Sequence, residues 1–192
     1  MTHSEQYLKE TAEIAALLDF FAIEVMAEQL AGLRERRGRL FIAGLGGSAA
    51  NASHAANDFR KLALMQAYCL SDNVAELTAT ANDDGWEDIY SEALSRFIAD
   101  DSDALFVLSV GGGTPEVSLP LVRAIEYAER SAMRIFGVVG RDGGYTKENA
   151  DCCIVVPTVA DSRVTPHTES FQSVILHCLV SHPKLQRSKS KW

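Results

Sequence analysis

Phe41-Ile-Ala-Gly44-Leu-Gly-Gly-Ser48 and Ala104-Leu-Phe-Val-Leu-Ser109-Val-Gly-Gly-Gly-Thr114 are two versions of one pattern. Each is an apolar run, then a glycine-rich turn, then a hydroxyl residue where a helical stretch opens. A strand that ends this way brings backbone N–H groups, a hydroxyl and a helix N-terminus to one point. Unpaired N–H groups and the helix dipole both favour an anion there. One such turn is ordinary loop chemistry; two in one chain point to a phosphosugar or nucleotide site.

Outward from these turns, strand and helix patterns alternate. Strands are expected near 39–44, 67–70, 103–109, 133–139 and 152–156. Helices are expected near 48–64, 73–80, 86–99, 115–130, 144–149 and 167–181. Such alternation implies βαβ units, hence an α/β fold with a five-stranded parallel sheet flanked by helices. Ligands in that architecture bind beyond the carboxyl ends of the strands, where both glycine turns fall. Before the first strand, residues 4–36 read as one long amphipathic helix, with Leu8, Ile14, Leu17, Leu18, Phe21, Val25, Met26, Leu30 and Leu33 at helical spacing. Its apolar face suits either core packing or a subunit interface. A single domain over 1–183 is expected, followed by a basic tail over 184–192 that lacks periodicity and is expected to be frayed.

The composition fits one globular domain: 192 residues, 47% hydrophobic and 8% aromatic. A formal charge of −8 argues against broad nucleic-acid binding. The four cysteines form no CxxC pair and fall mostly in apolar runs, which reads as reduced thiols in a cytosolic protein. Met1-Thr-His-Ser-Glu-Gln lacks the basic and apolar regions of a signal peptide, and no apolar stretch is long enough to span a bilayer.

Three polar groupings could carry chemistry. His54 and Asp58 share a helix face, about two turns beyond the first glycine turn, where they could bind a divalent metal or divide acid and base work. A solvated surface pair is the plain alternative. Asn82 and Asp83 lie in Ala79-Thr-Ala-Asn-Asp-Asp-Gly-Trp86, which on composition reads as a turn, although both side chains could bond substrate hydroxyls. Thr165-Pro-His-Thr-Glu-Ser-Phe-Gln-Ser-Val-Ile-Leu-His177 opens an apolar helix that carries Glu169, Gln172 and His177. Such groups need partners if buried, from the core or from a ligand, metal or second subunit.

Taken together, these residues resemble the sugar isomerase family and, within it, the phosphoheptose isomerases. The resemblance runs over nearly the whole chain. Its most specific parts are Gly46-Gly-Ser-Ala with His54 and Asp58, Ala81-Asn-Asp-Asp-Gly85, and Gly140-Arg-Asp-Gly-Gly144. It implies a tetramer with active sites between subunits, a phosphorylated sugar as substrate, and a divalent metal, zinc. Ser48, Ser109 and Thr114 would hold the phosphate, helped by backbone N–H groups of Gly111, Gly112 and Gly113. Asn82 and Asp83 would contact the sugar chain. His54 matches a zinc-ligand histidine, Asp58 a metal-binding base that is Glu in the family, His177 the last-helix histidine, and Glu169 a Gln; all four would be the metal ligands. An ungapped match from Arg163 would instead place Thr165 and Ser173 at those last-helix positions; the gapped match keeps two ionisable groups there.

The chain also departs from the family. Leu45 stands where Asn is usual, and Ser-Val-Gly-Gly-Gly-Thr replaces Ser-Thr-Ser-Gly-Asn-Ser in the second turn. The reaction implied is aldose–ketose isomerisation of sedoheptulose 7-phosphate through an enediol(ate), with Asp58 or Glu169 as base and His177 as acid. The alternatives are another phosphorylated ketose, an octulose or pentulose phosphate, and a non-catalytic domain that senses a phosphosugar or bridges partners.

Overall fold

A computed structural model describes residues 1–189. In chain order the elements are α1 (His3–Leu17), α2 (Phe20–Glu35), β1 (Arg39–Gly44), α3 (Gly47–Ala63), β2 (Gln66–Cys69), α4 (Val74–Asp83), α5 (Ile89–Arg96), β3 (Ala104–Ser109), α6 (Leu119–Arg130), β4 (Arg134–Val139), α7 (Gly144–Asn149), β5 (Cys152–Val155) and α8 (Val164–Val180). Short 3-10 turns at Trp86–Asp88 and Asp161–Arg163 precede α5 and α8.

The five strands form one parallel sheet in the order β2-β1-β3-β4-β5. Strand residues alternate between two cores. Leu40, Ile42, Phe106 and Leu108 face the layer of α1, α2, α3 and α8. Phe41, Ala43, Leu105 and Val107 face the layer of α5 and α6. Because both faces are covered, the strands read as continuous apolar runs. The chain leaves β1 toward β2 on one side and returns to β3 on the other, so the strand order reverses between β1 and β3. That switch point opens a crevice at the carboxyl ends of the strands, and both glycine turns border it. At the opposite end, buried Asp103 accepts hydrogen bonds from the Arg39 backbone (2.9 Å) and guanidinium (2.6 and 3.0 Å), tying the starts of β1 and β3 together.

Four expectations change. The single helix over 4–36 is two helices: Leu18 has extended ψ (141°), and the Asp19 side chain caps α2 by accepting from the Ala22 N–H at 3.0 Å. The Asn82–Asp83 segment is the last turn of α4, and the chain turns only at Asp84-Gly85, where Gly85 has φ +111°. α6 starts at Leu119, because Thr114 organises residues 114–117 into a turn. The tail expected to fray from 184 is instead docked as far as Ser188. Leu185 is buried, Arg34 donates to the carbonyls of Lys184 and Leu185, and the N–H groups of Arg187 and Ser188 donate to Leu62 O. Residues 190–192 of that expected tail lie outside the described residues.

Candidate active site

The first turn is shaped by crowding. A Cβ on Gly44 would lie 2.5 Å from the Ser48 carbonyl oxygen, and Gly46 has φ +60°. The chain can therefore fold back directly into α3 and present Ser48 at the crevice. Tyr90, buried on α5, donates its hydroxyl to the Gly44 carbonyl at 2.5 Å and fixes the end of β1. Burial pushes that phenol up to about 12, so it remains a donor.

The second turn is locked to its neighbours. Gly112 (φ +72°) approaches Gly143 so closely that a Cβ would lie 1.8 Å from the Gly143 oxygen. The Gly112 N–H donates to Ser109 Oγ at 3.0 Å, while its carbonyl accepts from the Thr146 N–H and hydroxyl. Gly112 therefore serves the loop, and it is the one member of the expected phosphate set turned away from the crevice. Ser48, Ser109, Gly111, Gly113 and Thr114 all line it, around a cavity of about 880 Å³. Arg141, from the turn after β4, lines it too, as do Asp142 and Asp161. Asn82 and Asp83 do not reach it within one chain. They are exposed on α4 and bond to each other (Asn82 Nδ2 to Asp83 Oδ1, 2.7 Å).

The helices after the first turn and at the chain's end bring the remaining residues together. α3 and α8 pack side by side on one sheet face, and His54, Asp58 and His177 converge there. Asp58 Oδ2 lies 3.2 Å from His54 Nε2 and 3.6 Å from His177 Nε2, and the two rings meet edge to face with centroids 5.0 Å apart. Asp58 is buried, whereas both histidine side chains are more than half exposed (53% and 57%), so the group opens outward. Asp58 Oδ1 also accepts from Asn57 Nδ2 at 3.0 Å. Ligand atoms around a tetrahedral ion with bonds of ~2.1 Å stand ~3.4 Å apart. The two spacings to Asp58, 3.2 and 3.6 Å, fit such an ion, and two imidazoles with one carboxylate are a donor set of that kind.

Glu169, eight residues before His177 on α8, is not part of this group. It lies two turns nearer the crevice, with its carboxylate directly over Gly47: a Cβ there would meet Glu169 Oε2 at 2.5 Å. Neither carboxylate oxygen has a hydrogen-bond partner among the described residues. Between the two groups, Asn51 joins the helices by donating to Glu169 O and Gln172 Oε1 (2.9 Å each) and accepting from Ser173 Oγ (2.9 Å). On the last helix His177, not Ser173, faces Asp58, whereas Glu169, the other residue expected at a metal position, stands apart from them. Sequence reasoning missed Asn51, although it lies three residues before His54 on the same helix face, and Tyr90, which nothing in its mostly polar sequence neighbourhood singles out.

No protein-family model matches the chain. A phosphoheptose isomerase of Chlorobium phaeobacteroides is 33% identical over 158 residues, covering 79% of this chain and 68% of the relative. Another from Helicobacter pylori is 29% identical over 184 residues, covering 93% and 88%. Among solved structures, a phosphoheptose isomerase of Neisseria gonorrhoeae superposes with a TM-score of 0.79 at 24% identity, over 93% of this chain and 92% of that one. That likeness shows the fold.

Proposed function

The chain belongs to the phosphoheptose isomerase family, and from that premise we propose that it interconverts sedoheptulose 7-phosphate and D-glycero-manno-heptose 7-phosphate. The observation that carries the reading is the convergence of His54, Asp58 and His177 with Glu169 nearby, along the helix that leaves the first glycine turn. A phosphate-sensing domain would need the turns but no ionisable group two helical turns beyond them.

In the proposed reaction Ser48, Ser109, Thr114 and the loop backbone hold the phosphate, and the sugar chain runs along the α3–α8 seam. Asp58 is the better base of the two carboxylates. Its Oδ2 lies 3.6 Å from His177 Nε2, so base and acid can act on neighbouring atoms, and it matches the base of the family, where Glu169 matches a Gln. Asp58 takes the proton from C1 of the ketose and, after exchange with solvent at the enediol, delivers one to C2. His177 supplies a proton to O2 as the enediol forms and removes one from O1 as the aldehyde closes. His54 and Asp58 would hold a divalent metal, zinc, with His177 as a third ligand while its Nε2 carries no proton, and such a metal would polarise the substrate oxygens. The outward-facing histidines and the exposed Leu8, Leu17, Phe20, Phe21 and Val174 support a homo-oligomer in which neighbouring subunits close the site and bring Asn82 and Asp83 to a sugar.

Incubating the purified chain with sedoheptulose 7-phosphate, metal-free and zinc-loaded, tests this by NMR. The expected result is zinc-dependent heptose 7-phosphate. No product in either state, with the ligand still bound, would contradict isomerisation of this sugar.

A further inference from the structure

We propose that Arg141 is a substrate-binding residue: it supplies the positive charge for the phosphate by reaching across Gly111, a position without a side chain. The inference rests on the phosphosugar reading of the crevice and adds to it a residue and a reason for the altered second turn.

The charge inventory of the crevice motivates it. Its hydroxyl and N–H donors are neutral, and the ionised side chains lining it are Asp142, Asp161 and Arg141. A phosphate dianion entering a crevice lined by two carboxylates is favoured by a cation, and among the described residues Arg141 is the only lysine or arginine in the lining. Its guanidinium forms no hydrogen bond or ion pair with any described residue, unlike Arg39 on Asp103 or Arg163 on Glu10. All five of its donors remain open to a ligand.

The backbone is arranged to present it. Arg141 has φ +52°, a left-handed conformation that strains a non-glycine residue. The surroundings impose it: the Gly140 N–H donates to the carbonyls of Ser109 and Val110, and the Gly143 N–H closes back onto Gly140 O. The turn after β4 is thereby stitched to the second glycine turn. The Arg141 side chain then crosses Gly111, with Cδ 3.8 Å from where a Cβ at 111 would stand. Where the family's loop carries side-chain hydroxyls, this chain has bare backbone, which lets the arginine of the Gly140–Gly144 motif lie over it.

The test uses the full chain with Arg141→Gln, Arg141→Lys and Arg141→Gly. Glycine accepts the left-handed backbone, so the last variant removes the side chain without stressing the turn. Two quantities are measured: KM and kcat for sedoheptulose 7-phosphate, and the dissociation constant of inorganic phosphate by calorimetry, which needs no turnover. Expected are a rise of about 10- to 100-fold in KM and in the phosphate constant for Gln and Gly, an intermediate value for Lys, and kcat within about twofold. Unchanged phosphate affinity in Arg141→Gly would overturn the proposal, as would a fall in kcat and thermal stability at constant KM. If the wild-type chain binds phosphate through Arg141 yet leaves the heptulose unchanged, the substrate reading fails while this one stands.

Discussion

At the scale of single residues, the chemistry depends on Asp58 and His177 meeting at neighbouring substrate atoms. Asp58→Asn keeps the shape but removes the base and weakens the ligand set. His177→Ala removes the proton shuttle. Both variants should fold, since His177 is exposed and Asn is isosteric, and both should lose about 10²- to 10⁴-fold in kcat. Circular dichroism and turnover measured on the same samples check this; near-wild-type rates in both would remove the assignment. The sequence made these residues legible unevenly. His54 and Asp58 announce themselves by their four-residue spacing. His177 lies far off in the chain, so only the family resemblance paired it with them, and the packing of α3 on α8 then brings it to Asp58. Glu169 and His177 share a helix, but two turns of rise keep their side chains apart, which the expectation of a four-residue metal set overlooked. Arg141 stood in a quoted motif without a role, because an exposed arginine in a turn has no periodicity to interpret.

At the scale of elements, the position of α8 matters most, since it carries both Glu169 and His177. Its start is tied to α1 through Glu10, a buried carboxylate that accepts from Arg163 (2.6 and 2.7 Å), from Gln6 (2.8 Å) and faces His167 Nε2 at 2.9 Å. His167 in turn stacks on Tyr7. The Arg163 guanidinium, with His167 and Gln6, holds the Glu10 carboxyl well below the usual carboxylate range. A carboxyl depressed on folding contributes stability that is fully present above its unfolded value, about 4.5, and is lost as pH falls toward the folded value. Melting temperatures of wild type and Glu10→Gln should therefore differ most near pH 7 and converge as the pH drops below about 4.5. A pH-independent difference would contradict the linkage. This network was invisible in the sequence: Glu10 looks like one more polar position on an amphipathic helix. The break between α1 and α2 was hidden likewise, because the apolar spacing runs straight through Asp19, whose capping bond ends one helix and starts the next.

At the scale of the whole molecule, the doubly wound sheet was the most legible feature, because fully buried parallel strands must be continuous apolar runs and their ends must be turns. One chain leaves apolar and candidate-site side chains on its outer face. Phe21 is 77% exposed and Phe20 64%, and the side chains of His54 and His177 are more than half exposed. Phe20→Asp with Phe21→Asp should shift the protein to a smaller species in light scattering and lower its turnover with it. A wild type that is monomeric at micromolar concentration and fully active would contradict the shared site. The most direct test of the central claim follows a single proton. Sedoheptulose 7-phosphate is turned over in D₂O by the zinc-loaded wild type and by Asp58→Asn, and the product is examined by NMR. The expected result is heptose 7-phosphate carrying deuterium at C2 from the wild type and neither product nor exchange at C1 from the variant over the same time. Equal turnover and equal labelling by both would show that Asp58 is not the base, and that the chemistry along the α3–α8 seam has been assigned to the wrong group.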